Sequence, residues 1–370
     1  MLFGRPGEAL RVEVERAISE FRAGRPVLLR DRGELGLVLS AELADGELVQ
    51  RLDRLAGGSG HLVLTPARLR RLGAKGRSEP GVFALPALDL DRVACLAFRL
   101  DSRMDAPIAP ASALDSAALE LARLSLVLPA ALVVPVSAEA VAGETLVAAE
   151  IAAVNAYRAE QAASLTIVGR APVPLEGAPE TEFVVFRGGE GLRDQVAIIV
   201  GKPDLAAPVP VRLHSACLTG DLFGSLKCDC GDQLRETVQW MAENEGGILL
   251  YLDQEGRGNG ISNKMRAYKL QSQGWDTYEA DEVLGFDLDQ RHFDFAATML
   301  KQLGVSRVIA LTNNPQKIGA IAAAGLEVAA SQRVLGRPNA HNVRYLASKR
   351  DRAGHLIDMD ALMARAAPKD

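Results

Sequence analysis

The chain is short of several things, and each shortage excludes a class of protein. Its 42 basic and 47 acidic side chains leave a net charge of -5, so it lacks the overall positive field of a general nucleic-acid binder. A polyanion would have to meet a local cluster of cations. No apolar run approaches the roughly 18 residues of a membrane span, and the opening Met1-Leu2-Phe3-Gly4-Arg5-Pro6-Gly7 lacks the apolar stretch of a secretory signal. A cytoplasmic protein with no membrane and no nucleic-acid partner is expected. There are only 4 cysteines in 370 residues, and a chain this long can bury its core without disulfides. Three of the four lie between positions 217 and 230 while Cys95 stands alone; in a reducing compartment that clustering points to metal. Internal repeats and low-complexity tracts are absent.

What is present reads as two domains. Leu10, Val14, Ala17, Ile18 and Phe21 recur at helical spacing, and Gly24 stands where a C-cap glycine belongs, ahead of the strand-like Pro26-Val27-Leu28-Leu29. Residues 110–165 are rich in Ala, Leu and Val with few side chains of catalytic type, as buried structural elements are. The proline- and glycine-punctuated text from Val168 to Pro179 suits a linker or the first turn of a new domain, so the boundary is placed there. Downstream the pattern predicts a strand at 196–200, a polar loop, a helix at 232–245 and a strand at 248–252. Helices near 263–273 and 293–303, a strand at 307–311 and a short helix at 318–324 follow. The fold class expected is α/β, of mixed α+β character, with each domain a sheet carrying packed helices. Residues 351–370 read as a charged tail.

The strongest chemical signal is Arg212-Leu213-His214-Ser215-Ala216-Cys217-Leu218-Thr219-Gly220-Asp221 followed by Lys227-Cys228-Asp229-Cys230-Gly231. Three thiolates bind zinc tightly, and three protein ligands leave a position open for water, whose pKa the metal lowers. A catalytic zinc site ranks first. A closed structural site with His214 or a distant side chain as fourth ligand ranks second, and plain buried thiols remain an alternative.

The second cluster, Asp253-Gln254-Glu255-Gly256-Arg257-Gly258-Asn259-Gly260, follows an apolar strand and precedes a helix. Glycine lets backbone approach a ligand, and arginine grips phosphate or a base edge bidentately. Alone it is equally a turn, and it matches neither the Walker loop nor the dinucleotide fingerprint. Arg212, Lys227, Arg257, Lys264, Arg266, Arg291 and Lys317 recur in or beside these loops, as a phosphate-rich small ligand requires, although a solvated surface explains any one of them. Asp287, Asp289, Arg291 and His292 precede a helix; Asp289 serves as general base or as helix cap. Thr312-Asn313-Asn314-Pro315-Gln316-Lys317 lies at a strand's carboxyl end, where open α/β sheets bind ligands, or is simply an Asn-Pro turn.

Taken in order, these motifs, with Asn263-Lys264-Met265-Arg266-Ala267-Tyr268 and Leu284-Gly285-Phe286, resemble GTP cyclohydrolase II across nearly all of residues 170–350. The resemblance implies zinc on Cys217, Cys228 and Cys230, a zinc water attacking C8 of the guanine, and Mg2+ with the GTP phosphates. It implies GTP contacts from Arg212, Leu213, His214, Ser215 and Ala216, then Gln233, Glu255, Gly256, Arg257, Thr277, Thr312 and Lys317. Asp289 falls on the family's proton acceptor and Arg291 on its proposed nucleophile; a guanidinium with a pKa above roughly 12 is better suited to stabilising charge, and Arg291 is kept as catalytic in either role. Tyr268 is a further catalytic candidate, orienting the water or the base, with a packed helix aromatic as its plain alternative. Where the family often has Glu before the first cysteine this chain has Ala216, which leaves only backbone to contribute.

The first half resembles a dihydroxybutanone-phosphate synthase domain, on Val12 to Arg25 and on Leu64 to Leu72. The acidic metal-binding stretch of that family is replaced by Asp31-Arg32-Gly33-Glu34-Leu35-Gly36, and no histidine lies between His61 and His214. The expectation is therefore an inactive domain at 1–167, a cyclohydrolase domain at 168–350, and a homodimer. A bifunctional enzyme and a GTP-binding regulator with structural zinc are the competing readings.

Overall fold

The computed structural model describes residues 6–188, 194–287, 291 and 293–334, together with positions 336, 339, 342, 346, 350, 351, 356 and 357. It forms two sheets with packed helices, the mixed α/β class expected. The two compact units do not follow one cut in the sequence. The first holds the chain up to Tyr157 together with 265–275 and 279–290; the second holds 158–264, 276–278 and the chain from Arg291 onward. The two later segments join the first unit because their apolar side chains find burial there. Ala267, Leu270, Ala280 and Val283 are buried in one cluster against Leu100 and Trp275.

The first unit comprises α1 (Pro6–Arg22), β1 (Val27–Asp31), β2 (Glu34–Ser40), α2 (Gly46–Ala56), β3 (His61–Leu64), α3 (Pro66–Arg71), β4 (Gly81–Ala84), α4 (Leu90–Ala97), β5 (Ala109–Pro110), α5 (Ala113–Leu124), β6 (Ala130–Pro135), β7 (Val147–Glu150) and the start of α6 (Ile151–Ala163). Its strands run in the order β5-β4-β3-β6-β2-β1-β7. Central β6 is buried on both faces. Ala131 and Val133 face a cluster with α1 and α5, while Ala130, Leu132 and Val134 face one with α2, α3 and α4. The Asp31 to Gly36 segment folds into a β1–β2 hairpin whose two-residue turn, Arg32 (φ 44°) and Gly33 (φ 96°), has both residues left-handed. That geometry matches the twist of the strands.

The second unit continues with β8 (Thr166–Pro172), β9 (Thr181–Arg187), β10 (Gln195–Val200), β11 (Val209–Ser215), α7 (Leu218–Asp221), α8 (Cys230–Glu243), β12 (Gly247–Leu252), α9 (Gly260–Ser272), α10 (Thr277–Val283), α11 (Asp294–Gln302), β13 (Arg307–Leu311), α12 (Pro315–Ala323) and β14 (Glu327–Gln332); α9 and α10 each pass between the units along the chain. The order is β14-β13-β11-β12-β10-β9-β8. β11 lies parallel to β12 and β13, whereas β10, β9 and β8 form an antiparallel meander beside them.

Two readings of the sequence are corrected here. Of the two alternatives for the text after 168, the linker falls, since Thr166–Pro172 pairs with β9 as an edge strand of the second sheet; an edge tolerates the closing proline. The polar loop expected before α8 contains the strand at the centre of the parallel group. In β11, Val209, Val211 and Leu213 enter the core with α11 and α12, and the alternation turns Arg212 and His214 to the opposite face. Among the described residues, no helix is long and apolar enough to cross a membrane.

Candidate functional site

The parallel arrangement brings the carboxyl ends of β11, β12 and β13 side by side, so the three polar motifs that follow them converge. Past β11 come Ala216 and Cys217. The Ala216 N–H extends the sheet by donating to the Leu252 carbonyl at 2.7 Å, so of its backbone only the carbonyl remains to meet a ligand.

Cys217 precedes α7, Cys228 lies in the loop, and Cys230 opens α8. Their sulfurs all lie within 4.8 Å of one another, with Cys217 and Cys228 3.6 Å apart. A tetrahedral zinc with bonds of about 2.3 Å sets sulfurs about 3.8 Å apart, so this donor set fits that ion. Two glycines make the approach possible. A Cβ on Gly220 would stand 2.7 Å from the Cys228 sulfur and 3.0 Å from that of Cys217, and one on Gly231 would stand 2.3 Å from the Gly220 carbonyl oxygen. No fourth His, Cys, Asp or Glu joins the group among the described residues. Charge follows the same logic. Hydrogen bonds from the Cys228 and Cys230 thiols, with the Lys264 ammonium, hold Cys217 far below the usual thiol range against the effect of burial. The bond to Cys217 pushes Cys228 up to about 11, and Cys230 is raised as well. Three thiolates this close require a cation among them.

A shell of buried polar groups fixes the cluster. Asp221 accepts the Cys217 backbone N–H at 2.9 Å, the Tyr251 hydroxyl at 3.0 Å and His214 Nε2 at 3.1 Å. Because the carboxylate only accepts, the His214 proton sits on Nε2. Burial holds this imidazole neutral, with Arg212 and Lys317 acting in the same sense and Asp221 opposing. Its Nδ1 is then a bare acceptor, buried and without a donor among the described residues. Glu255 accepts the Leu218 N–H at 2.6 Å and the Lys264 ammonium at 2.8 Å, and Lys264 Nζ lies 3.0 Å from the Cys217 sulfur. A third chain of bonds leads from the Leu311 carbonyl through Arg212 (3.1 Å) and Gln233 (2.5 Å) to Asp229 (2.5 Å), between the last two cysteines.

Beside the cysteines opens a cleft lined by Arg212, His214, Ser215, Cys230, Gln233, Arg257, Tyr278, Arg291, Thr312, Asn313, Asn314, Lys317 and Ile357. Arg257 takes a left-handed backbone, φ 62°, directly after Gly256 at φ 61°; that conformation costs a non-glycine residue about 1 kcal/mol. The turn sets the Arg257 guanidinium 4.1 Å from the centre of the Tyr278 ring. Arg291 reaches Ser215 Oγ at 3.5 Å, and Lys317 Nζ donates to the Leu213 carbonyl at 2.6 Å.

The structure thus gathers most of the candidate residues, some as lining and others, such as Leu213, Glu255 and Gly256, as supports behind it. Among the described residues, Thr277 and Tyr268 are not part of the lining. Thr277 begins α10 next to Tyr278, and Tyr268 lies in the stretch of α9 that belongs to the first unit. Asp289 and His292 lie outside the described residues, while Asp287 pairs with Arg123 at 3.2 Å within the first unit. Sequence reasoning missed Asp221, Tyr251 and Tyr278, counted Lys264 only as one cation among many, and reached Asn314 only as one amide within its motif. Asp221 and Lys264 stood inside motifs already quoted, but nothing in spacing reveals that one holds the Cys217 backbone N–H and the other its sulfur.

The sequence model of GTP cyclohydrolase II matches residues 166–333. A GTP cyclohydrolase-2 from Xylella fastidiosa is 42% identical over 370 residues, spanning 98% of this chain and 92% of that protein. The chain belongs to the GTP cyclohydrolase II family. A second family member, from Azospirillum brasilense, is 40% identical and covers 95% of each chain. A GTP cyclohydrolase-2 from Vibrio parahaemolyticus is 46% identical over 179 residues, which is 48% of this chain but 90% of that protein. The family's core therefore occupies about half of this chain, in agreement with the matched residues.

Proposed function

We propose that this chain hydrolyses GTP to formate, pyrophosphate and a diaminopyrimidine, the opening step of riboflavin biosynthesis, and that residues 168–350 carry the activity. The observation that carries this reading is a trio of close thiols, two of them buried, beside a cleft with four cationic side chains, Arg212, Arg257, Arg291 and Lys317. Cys217, Cys228 and Cys230 would hold one zinc ion. When bound, zinc supplies the Lewis acidity that makes water nucleophilic near neutrality, as attack at a carbon between two ring nitrogens demands.

The chain's own groups do the rest. Asp221 and Glu255 fix the backbone on either side of Cys217, so the sulfur is placed before substrate arrives. His214 offers its bare Nδ1 to a donor on the nucleotide. Arg257, braced on Tyr278, with Arg291 and Lys317, neutralises phosphoryl charge together with Mg2+. Two hydrolytic cuts release C8 as formate, and loss of pyrophosphate is a separate phosphoryl event. The first 167 residues act as an inactive partner domain, because the acidic stretch its resemblance requires is here a two-residue hairpin turn.

Product analysis tests the reading. The zinc-loaded protein, given GTP and Mg2+, is expected to yield the diaminopyrimidine and pyrophosphate in equal amounts, and to form no dihydroxybutanone phosphate from ribulose 5-phosphate. GTP bound but returned intact favours a nucleotide-binding regulator instead.

A further inference from the structure

Asn314 has one end of its carboxamide committed and the other without an acceptor among the described residues. It caps α12, where its Oδ1 accepts the Gln316 N–H at 2.9 Å. A backbone N–H can pair only with the amide oxygen, so the orientation of the group is fixed and Nδ2 must point away from the helix. That Nδ2 is buried without a partner among the described residues, in a residue only 3% exposed, and Asn314 lines the cleft. The backbone around it is equally committed. The Asn314 N–H donates to Thr312 Oγ1 at 3.1 Å, and the Lys317 N–H returns to the Asn314 carbonyl at 3.2 Å. Proline at residue 315 removes one more donor. At this end of a nine-residue helix, the carboxamide thus keeps hydrogens that no acceptor among the described residues takes.

We infer that Asn314 is a substrate-positioning residue that donates from Nδ2 to a phosphoryl oxygen of the bound nucleotide. The inference rests on the reading of the cleft as a GTP site. A phosphoryl oxygen suits the place better than a base edge for two reasons. The start of α12 carries the positive end of the helix dipole, and Lys317, on the same helix, lines the cleft too. A neutral donor beside that cation adds direction without adding charge.

Two variants keep the cap, since serine and aspartate are as good at that position as asparagine. Asn314→Ser removes the carboxamide, and Asn314→Asp replaces a donor by an anion. The zinc-loaded full chain is titrated calorimetrically, with Mg2+, against GTP and separately against inorganic tripolyphosphate; melting temperatures and formate release are recorded on the same samples. Asn314→Ser is expected to weaken both ligands about tenfold, or about 1.4 kcal/mol, and Asn314→Asp more, with melting temperatures unchanged. Tripolyphosphate that binds Asn314→Ser within twofold of wild type, or fails to bind wild type, overturns the inference, as does a drop in melting temperature parallel to the affinity loss. A wild-type protein that binds both ligands yet releases no formate defeats the proposed reaction, while the tripolyphosphate comparison still decides the role of Asn314.

Discussion

Lys264 Nζ lies 3.0 Å from the Cys217 sulfur and 2.8 Å from a Glu255 oxygen, both partners buried. The ammonium thus bridges the sulfur of one proposed zinc ligand and the carboxylate that fixes the backbone of the residue after it. Replacing Lys264 by Met keeps the length of the stem and removes the charge. Loss of such a supporting partner typically weakens metal binding by 10- to 100-fold. Zinc affinity measured by competition with a chromogenic chelator is expected to fall by about tenfold or more, and unchanged affinity contradicts the role.

Gly220 makes a narrower test of the same centre. Its backbone is not left-handed, so alanine is conformationally acceptable there, yet the new methyl would stand 2.7 Å from the Cys228 sulfur and 3.0 Å from that of Cys217. Gly220→Ala should fold and lose most of its zinc, read as metal content after dialysis. A full complement of zinc in this variant would show that the sulfurs are not drawn together as described.

The first unit has its own vulnerable point in Arg68. This side chain is 1% exposed and donates to the backbone carbonyls of Leu96 (2.7 Å), Val283 (3.0 Å), Cys95 (3.2 Å) and Arg99 (2.7 Å). Burial lowers its pKa to about 10, which still leaves it charged at neutrality. Arg68→Met strands several buried acceptors at once and should cost about 3 kcal/mol or more in urea unfolding. A change below about 1 kcal/mol would mean that those carbonyls find other donors.

Acid stability offers a further check through Asp115, which takes part in the capping box of α5 and meets His61 Nε2 at 2.7 Å. Burial alone would raise this carboxyl, but hydrogen bonds from His61 and Ser112 outweigh it and hold it below the usual range. A carboxylate depressed in the folded state contributes stability above its unfolded pKa of about 3.9, and that contribution is lost as pH falls through the lower folded value. Asp115→Asn should therefore be less stable than wild type at pH 7 by about 1–2 kcal/mol, with the gap narrowing as pH drops toward about 3. A gap independent of pH would assign the loss to packing.

How much of this was legible in the sequence follows from the range of the interactions. The cysteine spacing and the glycine-rich and Thr-Asn-Asn motifs announced the site because each is a local run of chemically special residues. The helices at 260–272 and 294–302 and the strands at 247–252 and 307–311 were legible from periodicity. β11 was not read as a strand, although Val209, Val211 and Leu213 alternate with Pro210, Arg212 and His214 as in a strand, because the run of chemically special side chains from Arg212 onward reads as a polar loop. The supports behind the site, Lys264 on Cys217 and Tyr251 on Asp221, join residues 47 and 30 positions apart, a separation that motif spacing does not encode. The assignment of 265–275 and 279–290 to the first unit is likewise a product of tertiary burial.

One assay tests the three-cysteine centre most directly: formate released from GTP, with Mg2+, by the zinc-loaded protein, compared with Cys228→Ser. The wild type should release one formate per GTP consumed in proportion to its zinc content, and the variant should release none while still binding GTP. Formate at the same rate from both proteins, or from neither, would contradict the assignment of the three-cysteine centre as the seat of the reaction.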